Sequence, residues 1–114
     1  MELSVNGART YCYTGGKAFR PGQPTAVFIH GVLGDHSVWI LQTRYLAHHG
    51  QAVLAVDLPG HGRSEGPPLS VVEAGRWIVD LVDAAGSQRV ALAGHSMGSL
   101  IALEAAARLG ERAR

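Results

Sequence analysis

The residues best suited to chemistry are Gly94-His95-Ser96-Met97-Gly98, a serine held between two glycines just after the apolar run Arg89 to Ala93. A serine hydroxyl becomes a nucleophile when a base takes its proton, and it meets substrate only if its backbone lifts it clear of the sheet. Glycine at both flanks permits the close backbone approach that so sharp a turn forces. The helix that follows aims unpaired N–H groups at the same spot, where they favour developing negative charge. With 15 glycines in 114 residues, the pattern alone carries little weight, because a structural glycine turn would look the same. Context shifts the balance. A β-rich run stands directly before Ser96, and a helix with the small residues Gly98, Ala102, Ala105 and Ala106 directly after it.

A second group, His30-Gly31-Val32-Leu33-Gly34, ends another buried-looking run, Thr25 to Ile29, and so opens at the same edge of a sheet as Ser96. Acyl transfer needs two donors converging on one oxygen, and backbone amides serve because they cannot swing away. The N–H groups of Met97 and Val32 are the candidates. His30, Gly31, Gly94, His95 and Gly98 are expected to brace them, with a plain glycine loop at residues 31–34 as the alternative.

The elements that must position these groups follow from periodicity. Residues 2–5 and 10–13 suggest a hairpin around Asn6-Gly7. Thr25 to Ile29, Ala52 to Val56 and Arg89 to Ala93 are short apolar runs of the kind buried on both faces of a parallel sheet. Asp35 or Ser37 can cap a helix running to about His49, with Val38, Leu41, Tyr45 and Leu46 predicted on its inner face. Ser70 and Glu73 match a capping box, which predicts a helix from about 71 to 85 with Ala74, Ile78, Leu81 and Val82 inward. A last helix runs from Ser96 to about Leu109. Alternating strands and helices imply an α/β architecture with a mostly parallel sheet and right-handed crossovers.

The totals bound the rest. A chain of 114 residues is about one small domain, and 46% hydrophobic with 17% charged residues is ordinary for a globular core. A net charge of +1, with no basic run, points away from nucleic acid and from anionic membrane surfaces. Cys12 is a single cysteine, no signal-peptide pattern opens the chain, and no apolar run reaches a membrane span, so a soluble cytoplasmic protein is expected. H-E-x-x-H, a cysteine pair and phosphate-binding glycine loops are all absent, and the His and Asp residues lack ligand spacing, so no metal and no cofactor are expected.

Taken with the loop Asp57-Leu58-Pro59-Gly60-His61-Gly62-Arg63-Ser64, the His30-Gly31 and Gly94-His95-Ser96-Met97-Gly98 motifs resemble the α/β-hydrolase superfamily, in this order and over roughly residues 25 to 110. The resemblance implies that Ser96 is the nucleophile, that Val32 and Met97 donate to the oxyanion, and that the loop from Asp57 to Ser64 braces the site. It also implies an acid and a histidine far downstream of the serine. None of the six histidines here fits that place. His95 adjoins Ser96 and is expected to pack or bond locally, His30 and His61 to brace strand-end turns, and His36, His48 and His49 to be solvated. Residues 1–114 thus resemble the amino-terminal portion of one such domain, truncated after the nucleophile helix. The expected activity of the complete protein is hydrolysis of an ester-like small molecule through a Ser96 acyl-enzyme, with the 114-residue chain alone inactive. A non-catalytic ligand- or partner-binding module, an acyltransferase and a carbon–carbon bond hydrolase are the alternatives. The strand at 89–93 would carry a bare edge, through which self-association is expected.

Overall fold

The computed structural model describes residues 1–113. Five strands, β1 (Glu2–Val5), β2 (Ala8–Tyr13), β3 (Thr25–Ile29), β4 (Ala52–Val56) and β5 (Val90–Gly94), form one mixed sheet in the order β1-β2-β4-β3-β5. The α/β architecture follows the sequence pattern closely. β4, β3 and β5 run parallel, in a register that sets Ile29 beside Val56 on one side and beside Gly94 on the other. β1 and β2 are an antiparallel hairpin whose turn residues, Asn6 and Gly7, have φ of 52° and 82°. β2 pairs antiparallel with β4 through Cys12 and Tyr13.

Parallel strands need crossover connections, and three helices supply them. A 3₁₀ turn, His36–Trp39, leads into α1 (Ile40–His48). α2 (Val71–Ala84) begins with the capping box, in which the Ser70 side chain accepts from the Glu73 amide and the Glu73 carboxylate accepts from the Ser70 amide. α3 (Met97–Leu109) follows β5. The main core lies between one sheet face and the pair α2 and α3, where Ile29, Leu54, Ile78, Leu81 and Ile101 are fully buried. A smaller cluster around Phe28, Val53 and Ala55 packs under Trp39, Leu46 and Ala47 on the other face.

α1 corrects one expectation. Val38, Leu41 and Tyr45 are 51%, 80% and 64% exposed, and the inner face is carried by Trp39, Thr43, Leu46 and Ala47 instead. The reason is rotational. The 3₁₀ turn shifts the phase before the α-helix begins at Ile40, and Trp39 locks that phase by packing on Phe28 with ring centroids 5.0 Å apart. The expected bare edge is also modified: Ala113 makes a parallel bridge to Val90, so among the described residues the open part of β5 begins at Ala91. Among the described residues no helix is long and apolar enough to cross a membrane.

The packing between sheet and helices generates a direct test. Ile78 is wholly buried on α2, and Ile78→Ala is expected to lower stability by about 3 kcal/mol, read from the urea midpoint, because both transfer and cavity contributions are lost.

Candidate active site

Ser96 occupies an elbow. Its φ of 57° and ψ of −123° lie where a residue with a side chain is strained, and α3 starts at the next residue. The elbow persists because its neighbours leave no room for another path. The His95 amide donates to the Ile29 carbonyl at 3.1 Å, the Gly98 amide to the His95 carbonyl at 2.9 Å and the Ser99 amide to the Ser96 carbonyl at 2.9 Å. A Cβ on Gly98 would stand 2.2 Å from the Ile29 carbonyl oxygen and 2.6 Å from that of His30, and one on Gly94 would stand 2.2 Å from the Gly98 carbonyl oxygen. Both glycines are therefore demanded by close backbone approach. Ser96 itself is exposed.

Residues Gly31 to Gly34 form a tight turn closed by the Gly34 amide donating to the Gly31 carbonyl at 3.1 Å, with Leu33 at a φ of 60°. The turn lies against the serine: a Cβ on Gly31 would meet Ser96 Cβ at 3.1 Å and Ser96 Oγ at 3.6 Å. Val32 and Leu33 are 62% and 93% exposed. Among the described residues, neither the Val32 nor the Met97 amide donates to another group. Two unengaged backbone donors thus belong to the two segments that meet at the exposed Ser96.

His30 ties this turn to the end of β4. It is fully buried, its Nε2 accepts from the Leu58 amide at 3.1 Å, and its Nδ1 lies 2.7 Å from the Gly31 carbonyl oxygen. Because Nε2 faces a donor, the ring proton belongs on Nδ1, where it donates to Gly31. Burial holds the imidazole below its ordinary value of 6.5, against the opposing pull of the Gly31 carbonyl. His61 stacks on it with centroids 5.0 Å apart and places its own Nδ1 3.0 Å from the Pro59 carbonyl oxygen.

A second tie centres on Asp57, the start of the loop expected to brace the site, and its pairing with His36 was unforeseen in the sequence. Its side chain is 0% exposed and accepts three hydrogen bonds: from the His36 amide at 2.7 Å, from His36 Nδ1 at 2.9 Å and from the Arg63 amide at 2.9 Å. His36 is therefore not the solvated residue expected. Its side chain is 16% exposed, against Tyr11 and Tyr13, because a carboxylate directly after an all-buried strand must find donors and His36 provides two. That position was the available signal. Asp35, His36 and Asp57 also bring ligand-capable atoms within 4.8 Å of one another, a proximity their spacing had not suggested. These atoms are engaged internally: the Asp35 side chain accepts from the Ser37 amide at 2.8 Å, and bonding to Ser37 holds the Asp35 carboxyl below its usual range. His48 and His49 are exposed as expected, whereas the His95 side chain, expected to pack or bond locally, is exposed, and His95 holds the elbow through its amide instead. Among the described residues no histidine hydrogen-bonds Ser96 Oγ.

Comparison with known proteins agrees with this layout. Residues 24–114 match the sequence profile of the alpha/beta hydrolase fold. The chain is 35% identical over 106 residues to the dihydrolipoyllysine-residue acetyltransferase component of the acetoin cleaving system of Cupriavidus necator, covering 90% of this chain and 26% of that protein. It is 34% identical over 103 residues to (E)-2-((N-methylformamido)methylene)succinate hydrolase of Acinetobacter baylyi, covering 89% of this chain and 36% of that one. Among solved structures, a membrane phospholipase A described as a bacterial virulence factor matches with a TM-score of 0.81 at 33% identity, over 93% of this chain and 34% of that one. The chain spans about a quarter to a third of the length of these relatives.

Two outcomes follow from the geometry. Gly98→Ala sets a methyl against a backbone carbonyl that has no rotamer to yield, so a loss of about 3 kcal/mol is expected in denaturant unfolding. His30 titrates below 6.5 when folded, so the unfolded chain binds its proton first as pH falls. Its contribution is complete above about pH 6.5 and declines below it. The urea midpoint should therefore drop between about pH 7 and about pH 5, and His30→Gln should flatten that slope.

Proposed function

Since the chain belongs to the alpha/beta hydrolase fold family, we propose that Ser96 is the nucleophile of a cofactor-free serine hydrolase that cleaves an ester or similar acyl compound. In this reading Ser96 Oγ attacks the substrate carbonyl and its proton passes to a base supplied from outside residues 1–114. The Val32 and Met97 amides take the charge that builds on the carbonyl oxygen. The leaving alcohol departs with the proton, and water then attacks the acyl-enzyme to regenerate the serine. The observation that carries the reading is the strained, exposed Ser96 in van der Waals reach of Gly31, with the unengaged amides of Val32 and Met97 each next in sequence to one of these two residues. Each such donor is worth on the order of 10²–10³ in kcat where it has been removed.

The same intermediate serves transfer as well as hydrolysis. An alcohol or thiol in place of water would convert the reaction to acyl transfer, and the relative from Cupriavidus necator is named an acetyltransferase component. Water is favoured here because the relative from Acinetobacter baylyi is named a hydrolase.

The test is covalent labelling of the whole protein with a fluorophosphonate. A single adduct on Ser96 that disappears in Ser96→Ala is expected, together with loss of esterase turnover. An unlabelled Ser96 in a whole protein that still turns over an ester would overturn the assignment.

A further inference from the structure

A cavity of about 410 Å³ opens between the β2–β3 loop and the end of α1, and its walls include Thr14, Lys17, Phe19, Arg20, His48 and Gln51. Ala52 and Val53, the first residues of β4, also line it. The cavity therefore sits at the edge of the parallel sheet opposite Ser96, about 15 Å away for a five-residue strand. The candidate active site does not use it.

Its charge is one-sided. Lys17, Arg20 and His48 line the cavity and no carboxylate does. Neither Lys17 nor Arg20 takes part in an ion pair among the described residues. The C-terminus of α1 opposes an anion with about half a negative charge, which is less than the two full positive charges that face it. Arg20 is also fixed in place: its guanidinium donates to the Gly50 carbonyl at 2.7 Å, so one of the five donors of the fork is used and the others remain. The loop carrying Lys17 is pinned by the Thr14 hydroxyl donating to the Lys17 carbonyl at 2.7 Å. Phe19 and Ala47 give the cavity an apolar wall beside these cations.

We propose that this cavity binds the phosphomonoester of a small organic molecule, with the phosphate between Lys17 and Arg20 and the organic part against Phe19. Two cations, of which the Gly50 carbonyl holds Arg20 in place, with a histidine beside them match a dianion, and a guanidinium fork matches paired phosphate oxygens. A monocarboxylate would leave the cluster half-neutralised.

The experiment is a titration of the chain with phenyl phosphate, followed by amide chemical shifts, with benzoate and phenol as controls. Saturable shifts confined to the amides of Thr14 to Arg20 and of Gln51 are expected, with phenyl phosphate binding at least about tenfold more tightly than benzoate, a difference of about 1.4 kcal/mol. Lys17→Met should weaken binding by a similar factor, and Lys17→Glu should abolish it while leaving the rest of the spectrum in place. The proposal fails if no saturable shift occurs at about 10 mM phenyl phosphate. It also fails if phenol or benzoate binds as well, if Lys17→Met binds as tightly as the unaltered chain, or if the shifts gather at Val32 and Met97 instead.

Discussion

The structure turns on the approach of the first turn of α3 to the end of β3. Gly98 brings its α-carbon so near the Ile29 and His30 carbonyls that a methyl group would overlap them. That single contact sets three things. It fixes the angle at which α3 leaves the sheet. It forces the residue between β5 and α3 into a left-handed conformation, which is why Ser96 stands out of the sheet with a φ of 57°. And because the same carbonyls begin the segment His30-Gly31, it brings the turn at residues 31–34 beside the serine. Strain of the order of 1–3 kcal/mol at one residue persists only where the surroundings over-determine it. Here the hydrogen bond from the His95 amide to Ile29 and the burial of Ile101 and Ala105 in the first turns of α3 provide that surrounding order.

A rigid elbow is of little use if the facing turn drifts, and two buried side chains hold that turn from behind. His30 couples the Gly31 carbonyl to the Leu58 amide, and Asp57 couples His36 to Arg63. Both links join the segment after β3 to the segment after β4. They are made by side chains because backbone pairing ends with the strands, at Ile29 and Val56. An unpaired buried carboxylate would be costly, so Asp57 is tolerated only with its three donors in place. Cost and function are thus coupled: the polar groups that must be satisfied for folding are the ones that position the candidate oxyanion donors.

Most of the fold was legible in the sequence because its signals are local. The Asn6-Gly7 turn, the Ser70 and Glu73 capping box and the three apolar runs each act within a few residues, and each appears where the pattern placed it. The elbow was legible for a different reason: close backbone approach excludes all side chains, so glycine spacing records it. What was hidden depends on distant partners. His36 and Asp57 are 21 residues apart, and nothing in either neighbourhood announces the other. The face of α1 was misjudged because Val38, Leu41 and Tyr45 have the right spacing for a core stripe, yet the helix begins in 3₁₀ geometry and Trp39 decides its rotation. Periodicity counts apolar residues without knowing which of them meet a sheet.

The exposed apolar residues are not scattered evenly. β4, with a partner on each side, is buried throughout, while β5 has Ala91 exposed and Leu92 and Ala93 only half-buried. Leu100 and Leu103 of α3 line a groove with Val71 of α2, and Leu41 and Tyr45 of α1 line another with Phe28 of β3, all four more than half exposed. The fully buried side chains gather on β3, β4 and α2, whereas on β5 only Val90 is buried. The elbow's geometry is enforced by contacts with β3, through the close approach of Gly98 and the bond from the His95 amide to the Ile29 carbonyl. The glycine contact thus fixes the hydroxyl's placement by itself.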